Sequence, residues 1–130
     1  MVANEETVWA GPLDISWGDG GRVLVPAVSF AKVTAGTVMK VYFEQKDQTW
    51  AQAQFNYGDW SGIAFSLFDT TMVPTDIYGW SFESRVMELT LTQEILDNIQ
   101  AKQGDCEDQT NVGIIIQGSD LTFTKITIVN

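Results

Sequence analysis

Apolar and polar residues alternate with a period of two along most of the chain. Turn residues break that alternation at intervals of about eight to twelve positions, the pattern of sandwiches and barrels. Thr7 to Leu13 reads as a first strand, interrupted by Gly11-Pro12. After the strong turn Gly18-Asp19-Gly20-Gly21, Val23-Leu24-Val25-Pro26 reads as a short edge strand, because proline cannot donate to a ladder. Thr37 to Gln45 and Thr49 to Tyr57 are clear strands joined by Lys46-Asp47-Gln48, so the two are expected to pair as a hairpin. Ile63 to Phe68 and Arg85 to Leu91 follow as further strands. One helix is predicted from Gln93 to Lys102, capped by Thr92, with Ile95, Leu96 and Ile99 as its buried stripe. Val112 to Gln117 and Leu121 to Val129 close the chain, and Gly118-Ser119-Asp120 is expected to join them as a tight hairpin. No repeat or linker interrupts residues 1–130, so a single domain is expected. Its fold class is all-β, an antiparallel sandwich of the jelly-roll kind with one short helix.

Successive side chains on a strand face opposite ways, so parity sorts each strand into two faces. In Thr49 to Tyr57, Ala51, Ala53, Phe55 and Tyr57 suit a core. Trp50, Gln52, Gln54 and Asn56 face the other way. A plain solvent face would favour Thr, Lys and Glu, so an indole followed by three uncharged amides is unusual. In the strand before it, Met39, Val41 and Phe43 form the core set, while Lys40, Tyr42 and Glu44 face outward. In the penultimate strand Ile114 and Ile116 face in, while Ile115 and Gln117 face out. If these strands share a sheet, one outer face holds Trp50, Gln52, Gln54, Tyr42 and Gln117.

That chemistry fits a sugar chain. Pyranose rings present apolar C–H faces to aromatic rings, and equatorial hydroxyls that need donors and acceptors together. A glutamine amide supplies both without the desolvation cost of a charge. Trp60 and Trp80 each lie in a glycine-flanked polar loop and are candidate stacking surfaces; each could equally cover a core edge. Trp9 reads as core, and Trp17 is undecided.

The remaining composition narrows the ligand. A net charge of −10 disfavours nucleic acid and anionic membranes. The chain contains no histidine, which removes the commonest general base and metal ligand. A single cysteine, Cys106, permits no internal disulfide and reads as an unimportant loop thiol. No apolar run is long enough to span a membrane. Met1 to Glu6 lacks the basic and apolar regions of a signal peptide.

Taken along the chain, six features carry a resemblance. They are Thr7-Val8-Trp9-Ala10-Gly11-Pro12, Trp17 with the glycine-rich turn after it, a strand ending near Gln45, the run Trp50-Ala51-Gln52-Ala53-Gln54-Phe55-Asn56-Tyr57-Gly58-Asp59-Trp60, Glu88-Leu89-Thr90-Leu91-Thr92, and Val112-Gly113-Ile114-Ile115-Ile116-Gln117-Gly118-Ser119-Asp120-Leu121-Thr122-Phe123-Thr124-Lys125-Ile126. The sequence resembles bacterial β-sandwich carbohydrate-binding modules attached to endoglucanases, such as carbohydrate-binding module families 65 and 80. The resemblance implies non-catalytic binding of β-1,4-linked glucans, namely xyloglucan, mixed-linkage β-glucan, glucomannan and cello-oligosaccharides. It implies an appended catalytic domain in a larger, secreted or cell-surface parent enzyme. Trp50, Trp60, Gln52, Gln54 and Gln117 match expected cleft positions, Trp80 matches less closely, and Tyr42, Glu44 and Asn56 are expected to flank them. No cofactor is implied. Many such sandwiches hold a structural calcium ion, and that point stays open, since Glu5, Glu6, Asp14, Asp19 and Asp120 are scattered in sequence.

Two rivals compete. A glycoside hydrolase needs two carboxylates flanking the scissile bond, one with a raised pKa, and no such pair can be named. A cohesin- or adhesin-like protein-interaction sandwich would present a flat apolar or charged patch rather than an amide row.

Overall fold

The computed structural model describes residues 5–45, 52–63, 86–119 and 121–129. Its elements in chain order begin with β1 (Glu5–Asp14), β2 (Val23–Pro26) and a 3-10 turn at Ala27–Phe30. There follow β3 (Val38–Gln45), β4 (Gln52–Tyr57), β5 (Val86–Thr90) and α1 (Gln93–Ala101). The chain then forms β6 (Gly104–Cys106), β7 (Gln109–Ser119) and β8 (Leu121–Val129). One sheet has the order β1-β8-β3-β5; the second has the order β2-β7-β4, with β6 also paired to β7. Every pairing is antiparallel. From β1 to β4 successive strands alternate between the sheets, as do β7 and β8, which is the winding of a jelly roll. The expected all-β sandwich with one helix is therefore observed.

The core lies between the sheets. Val23, Val25, Ala53, Phe55, Ile114 and Ile116 enter it from one side, and Met39, Val41, Phe43, Met87, Leu89 and Phe123 from the other. Phe123 links the layers, its ring centroid 6.3 Å from both Phe43 and Phe55. Trp9 packs against this core, partly buried. Helix α1 starts where Thr92 accepts a hydrogen bond from the Ile95 amide at 3.2 Å, and its Ile95, Leu96 and Ile99 join the same cluster.

Three expectations need correction. β3 and β4 do not form a hairpin: β3 pairs with β5 and β8, and β4 pairs with β7. Nor are β7 and β8 a hairpin, since they lie in different sheets. A short polar connection between two alternating strands suits a hairpin and an arch across the sandwich equally well. In the arch, the apolar sides of the two strands meet face to face across the core instead of standing side by side. The third correction concerns Cys106. It is buried, 6% exposed, in β6, where it pairs with Gln109 of β7. With Leu24, Val112 and Ile115 it forms a small second apolar cluster. Burial pushes its thiol pKa up, against the opposing pull of the nearby Arg22 charge, so the group is an inert packing residue.

Candidate functional site

Core parity decides which side chains the second sheet turns away from the core. With Val23, Val25, Ala53, Phe55, Ile114 and Ile116 facing inward, the outer side carries half-buried Arg22, Gln54 and Gln117, together with Asn56, Leu24 and Ile115, which are buried there, the last two in the small cluster with Cys106. Register sets Gln54 directly opposite Gln117, and Asn56 opposite Ile115. The two glutamines bond to one another: Gln117 Nε2 donates to Gln54 Oε1 at 2.9 Å. Asn56 Nδ2 donates to the same oxygen at 3.4 Å. On the other flank, Arg22 Nε donates to Gln117 Oε1 at 3.2 Å.

Trp60 joins this face through a tight reversal after β4. The chain turns at Gly58 and folds back, so that Ile63 N donates to Phe55 O at 2.8 Å and Gly62 bridges to Asn56. Glycine is required at 58, where a Cβ would stand 1.9 Å from the Val112 carbonyl oxygen and 2.5 Å from the Gly104 nitrogen. Asp59 Oδ1 accepts hydrogen bonds from the Ser61 amide and hydroxyl, which hold its carboxyl below the usual carboxylate range. Trp60 itself has φ +72°, a left-handed conformation that is strained for a bulky side chain. The residue remains 42% exposed.

Arg22 is the residue that sequence reasoning missed. Its guanidinium carbon lies 5.0 Å from the Trp60 ring centroid. Nη1 meets Asp19 Oδ1 at 2.6 Å, with Glu107 Oε2 at 3.9 Å, and Nη2 donates to the Trp17 carbonyl at 3.0 Å. One side chain thus ties the Trp17–Gly21 turn, the Trp60 loop, the Glu107 turn and the amide row together. The available signal was parity: counting back from Val23 and Val25 puts Arg22 on the outer face with Leu24. Trp17, undecided from sequence, is 42% exposed beside this cluster.

The expected site residues separate into groups. Gln54, Gln117 and Trp60 come together, as described. Asn56 shares the face but is only 3% exposed, so it supports Gln54 rather than flanking an open cleft. Tyr42 and Glu44 do not belong with them, because β3 lies in the other sheet. There Tyr42 donates its hydroxyl to Glu5 Oε2 at 2.8 Å, and Lys125 Nζ sits 4.7 Å from its ring centroid. The backbone of Gln52 pairs with Ser119 in β4. Trp50 and Trp80, and the side chain of Gln52, lie outside the described residues.

The carboxylates at this site are each engaged by a neighbour. Asp59 is held ionised, the opposite of what a general acid requires. Asp19 and Glu107 face the Arg22 guanidinium. Among the described residues, no three acids, cysteines or histidines converge to hold a metal ion.

A glycan-binding protein shares this architecture. The structure of a Bacteroides ovatus mixed-linkage glucan utilization locus protein, SGBP-B, in complex with a mixed-linkage heptasaccharide, matches with a TM-score of 0.71 and 26% sequence identity. The match covers 95% of this chain and 28% of the SGBP-B chain, so this chain corresponds to about a quarter of that longer protein. No protein-family profile and no curated protein match the sequence.

Proposed function

We propose that the outer face of the β2-β7-β4 sheet binds a neutral β-glucan chain without cleaving it. The observation carrying this reading is the Gln54–Gln117 amide pair beside exposed Trp60 on one solvent-facing surface. The indole offers apolar area for a pyranose ring, and the amides fix the orientation of the hydroxyls. Trp17, 42% exposed and joined to Arg22 through its backbone carbonyl, is a further candidate aromatic; the sequence parity of Thr49 to Tyr57 adds Gln52 and Trp50 as candidates, with Trp80 another. The fold shared with SGBP-B supports polysaccharide as the partner. β-1,4-linked and mixed-linkage glucans, including xyloglucan, glucomannan and cello-oligosaccharides, are the substrate class proposed. Tethering an appended hydrolase to plant cell-wall polysaccharide, in a secreted or cell-surface protein, is the role that such binding serves, since it raises the enzyme's effective concentration at its polymer.

Affinity electrophoresis through gels containing barley β-glucan, xyloglucan or glucomannan tests this directly. Retarded migration in at least one gel is expected, with no release of reducing ends on incubation. Unretarded migration in every neutral polysaccharide removes the proposal and returns the protein-interaction reading. Steady release of reducing ends returns the hydrolase reading.

A further inference from the structure

A carboxamide is ambiguous: it can present either its oxygen or its NH2 group to a given neighbour. Two adjacent glutamines can therefore bond in either direction with little difference in energy, and a ligand would meet whichever ends are left over. Arginine is not ambiguous. Its guanidinium carries N–H donors and no acceptor. Arg22 Nε points at Gln117, so Gln117 must turn its oxygen toward it, at 3.2 Å. That leaves the Gln117 NH2 group facing Gln54, which must answer with its own oxygen, at 2.9 Å. Asn56, 3% exposed, donates to the same Gln54 oxygen and agrees with this direction.

We propose that Arg22 is a positioning residue that sets the direction of this amide relay, so that Gln54 presents N–H donors and recognises acceptor oxygens of the bound sugar. The proposal deepens the glycan-binding reading and rests on it for the ligand, but the relay itself exists in the free protein. Arg22 is well placed for the task. Its side chain is 17% exposed, and Asp19, the Trp17 carbonyl and the Trp60 ring all restrain the guanidinium. None of these contacts is with the amides, so the arginine's position is independent of the groups that it orients.

The test uses nuclear magnetic resonance of the side-chain NH2 groups of Gln54 and Gln117 in the ligand-free protein, followed by titration with a mixed-linkage glucan heptasaccharide. In the wild type, the Gln117 NH2 group should show one protected, hydrogen-bonded proton, and the Gln54 NH2 protons should exchange freely with water. Arg22→Lys, still a donor without acceptors, should keep that pattern and bind within about threefold of wild type. Arg22→Met, with no polar group, should let both amides flip, so that protection at Gln117 is lost and affinity falls about tenfold, the scale of one hydrogen bond. Arg22→Glu, acceptor only, should invert the relay: the Gln117 NH2 group then donates to the carboxylate, its oxygen turns to Gln54, and the Gln54 NH2 group gains a protected proton that it lacks in the wild type. An unchanged pattern in both the Met and the Glu variants, with backbone spectra that report a native fold, overturns the proposal. So does failure of Lys to rescue what Met loses. A wild type that shows the directed relay but binds no glucan leaves the relay standing and removes the functional reading instead.

Discussion

The two outer faces of the sandwich carry a similar device with opposite consequences. On the β1-β8-β3-β5 face, Lys125 stacks on Tyr42 at 4.7 Å; on the β2-β7-β4 face, Arg22 stacks on Trp60 at 5.0 Å. Around Tyr42 the polar groups close on one another. Glu5 Oε2 takes hydrogen bonds from the Tyr42 and Thr127 hydroxyls, and Asp14 takes one from Thr122. Burial raises the Tyr42 pKa, and the Glu5 hydrogen bond raises it further. The hydroxyl is thus held as a donor to a carboxylate. Around Trp60 the amides are linked in a chain from Arg22 through Gln117 to the Gln54 oxygen, and among the described residues the Gln54 NH2 group takes no part in it. An aromatic ring and polar neighbours occur on both sides; what separates the faces is whether hydrogen-bonding capacity is left over for something else.

Substitutions that act on only one face can break this contrast. The largest effect is expected at Gly58. Gly58→Ala forces a Cβ into backbone atoms of Val112 and Gly104 that cannot move aside cheaply. It should cost about 3 kcal/mol of stability in urea unfolding, the upper range for overpacking. Next comes Trp60→Ala, which should weaken glucan binding by about 1.5–3 kcal/mol in calorimetric titration, from lost apolar burial. Tyr42→Ala, on the other face, should change affinity by less than about twofold, as a surface substitution away from the site. Equal losses from the two aromatic variants would abolish the distinction between the faces. Gln117→Ala should cost about 1 kcal/mol of binding, the net worth of its hydrogen bonds.

The smallest effect concerns pH. With no histidine to titrate, affinity should be flat between about pH 6 and 8. The Asp59 pKa is lowered in the folded chain, so its support of the Trp60 loop is fully present above the ordinary carboxylate range. That support is lost as pH falls through the depressed value. Affinity measured down an acid series should decline there in the wild type, and Asp59→Asn should flatten the decline.

The sequence was legible in one dimension and ambiguous in another. Period-two parity put Gln54 and Gln117 on a shared outward side, and put Ala53, Phe55, Ile114 and Ile116 inside, because parity needs only the strand itself. Which strands are neighbours depends on loops and long-range pairing. The proximity of β3 and β4 in sequence therefore suggested a shared sheet, and drew Tyr42 and Glu44 into the wrong face. Cys106 was misread because Asp105, Glu107 and Asp108 gave a short strand the look of a loop. Arg22 escaped notice for a related reason. It follows a glycine-rich turn, and a charged residue at a turn exit ordinarily points to water, whereas here the Asp19 and Glu107 carboxylates and an indole hold it over the sheet.

The left-handed backbone at Trp60 has an evolutionary consequence. Glycine adopts such a conformation without penalty, and by that criterion alone it is the better residue at position 60. A library varied at this one codon and selected for heat resistance should drift toward glycine. The same library panned on immobilised polysaccharide should return the indole, and the disagreement between the two selections would measure how far this loop is shaped by its partner rather than by folding.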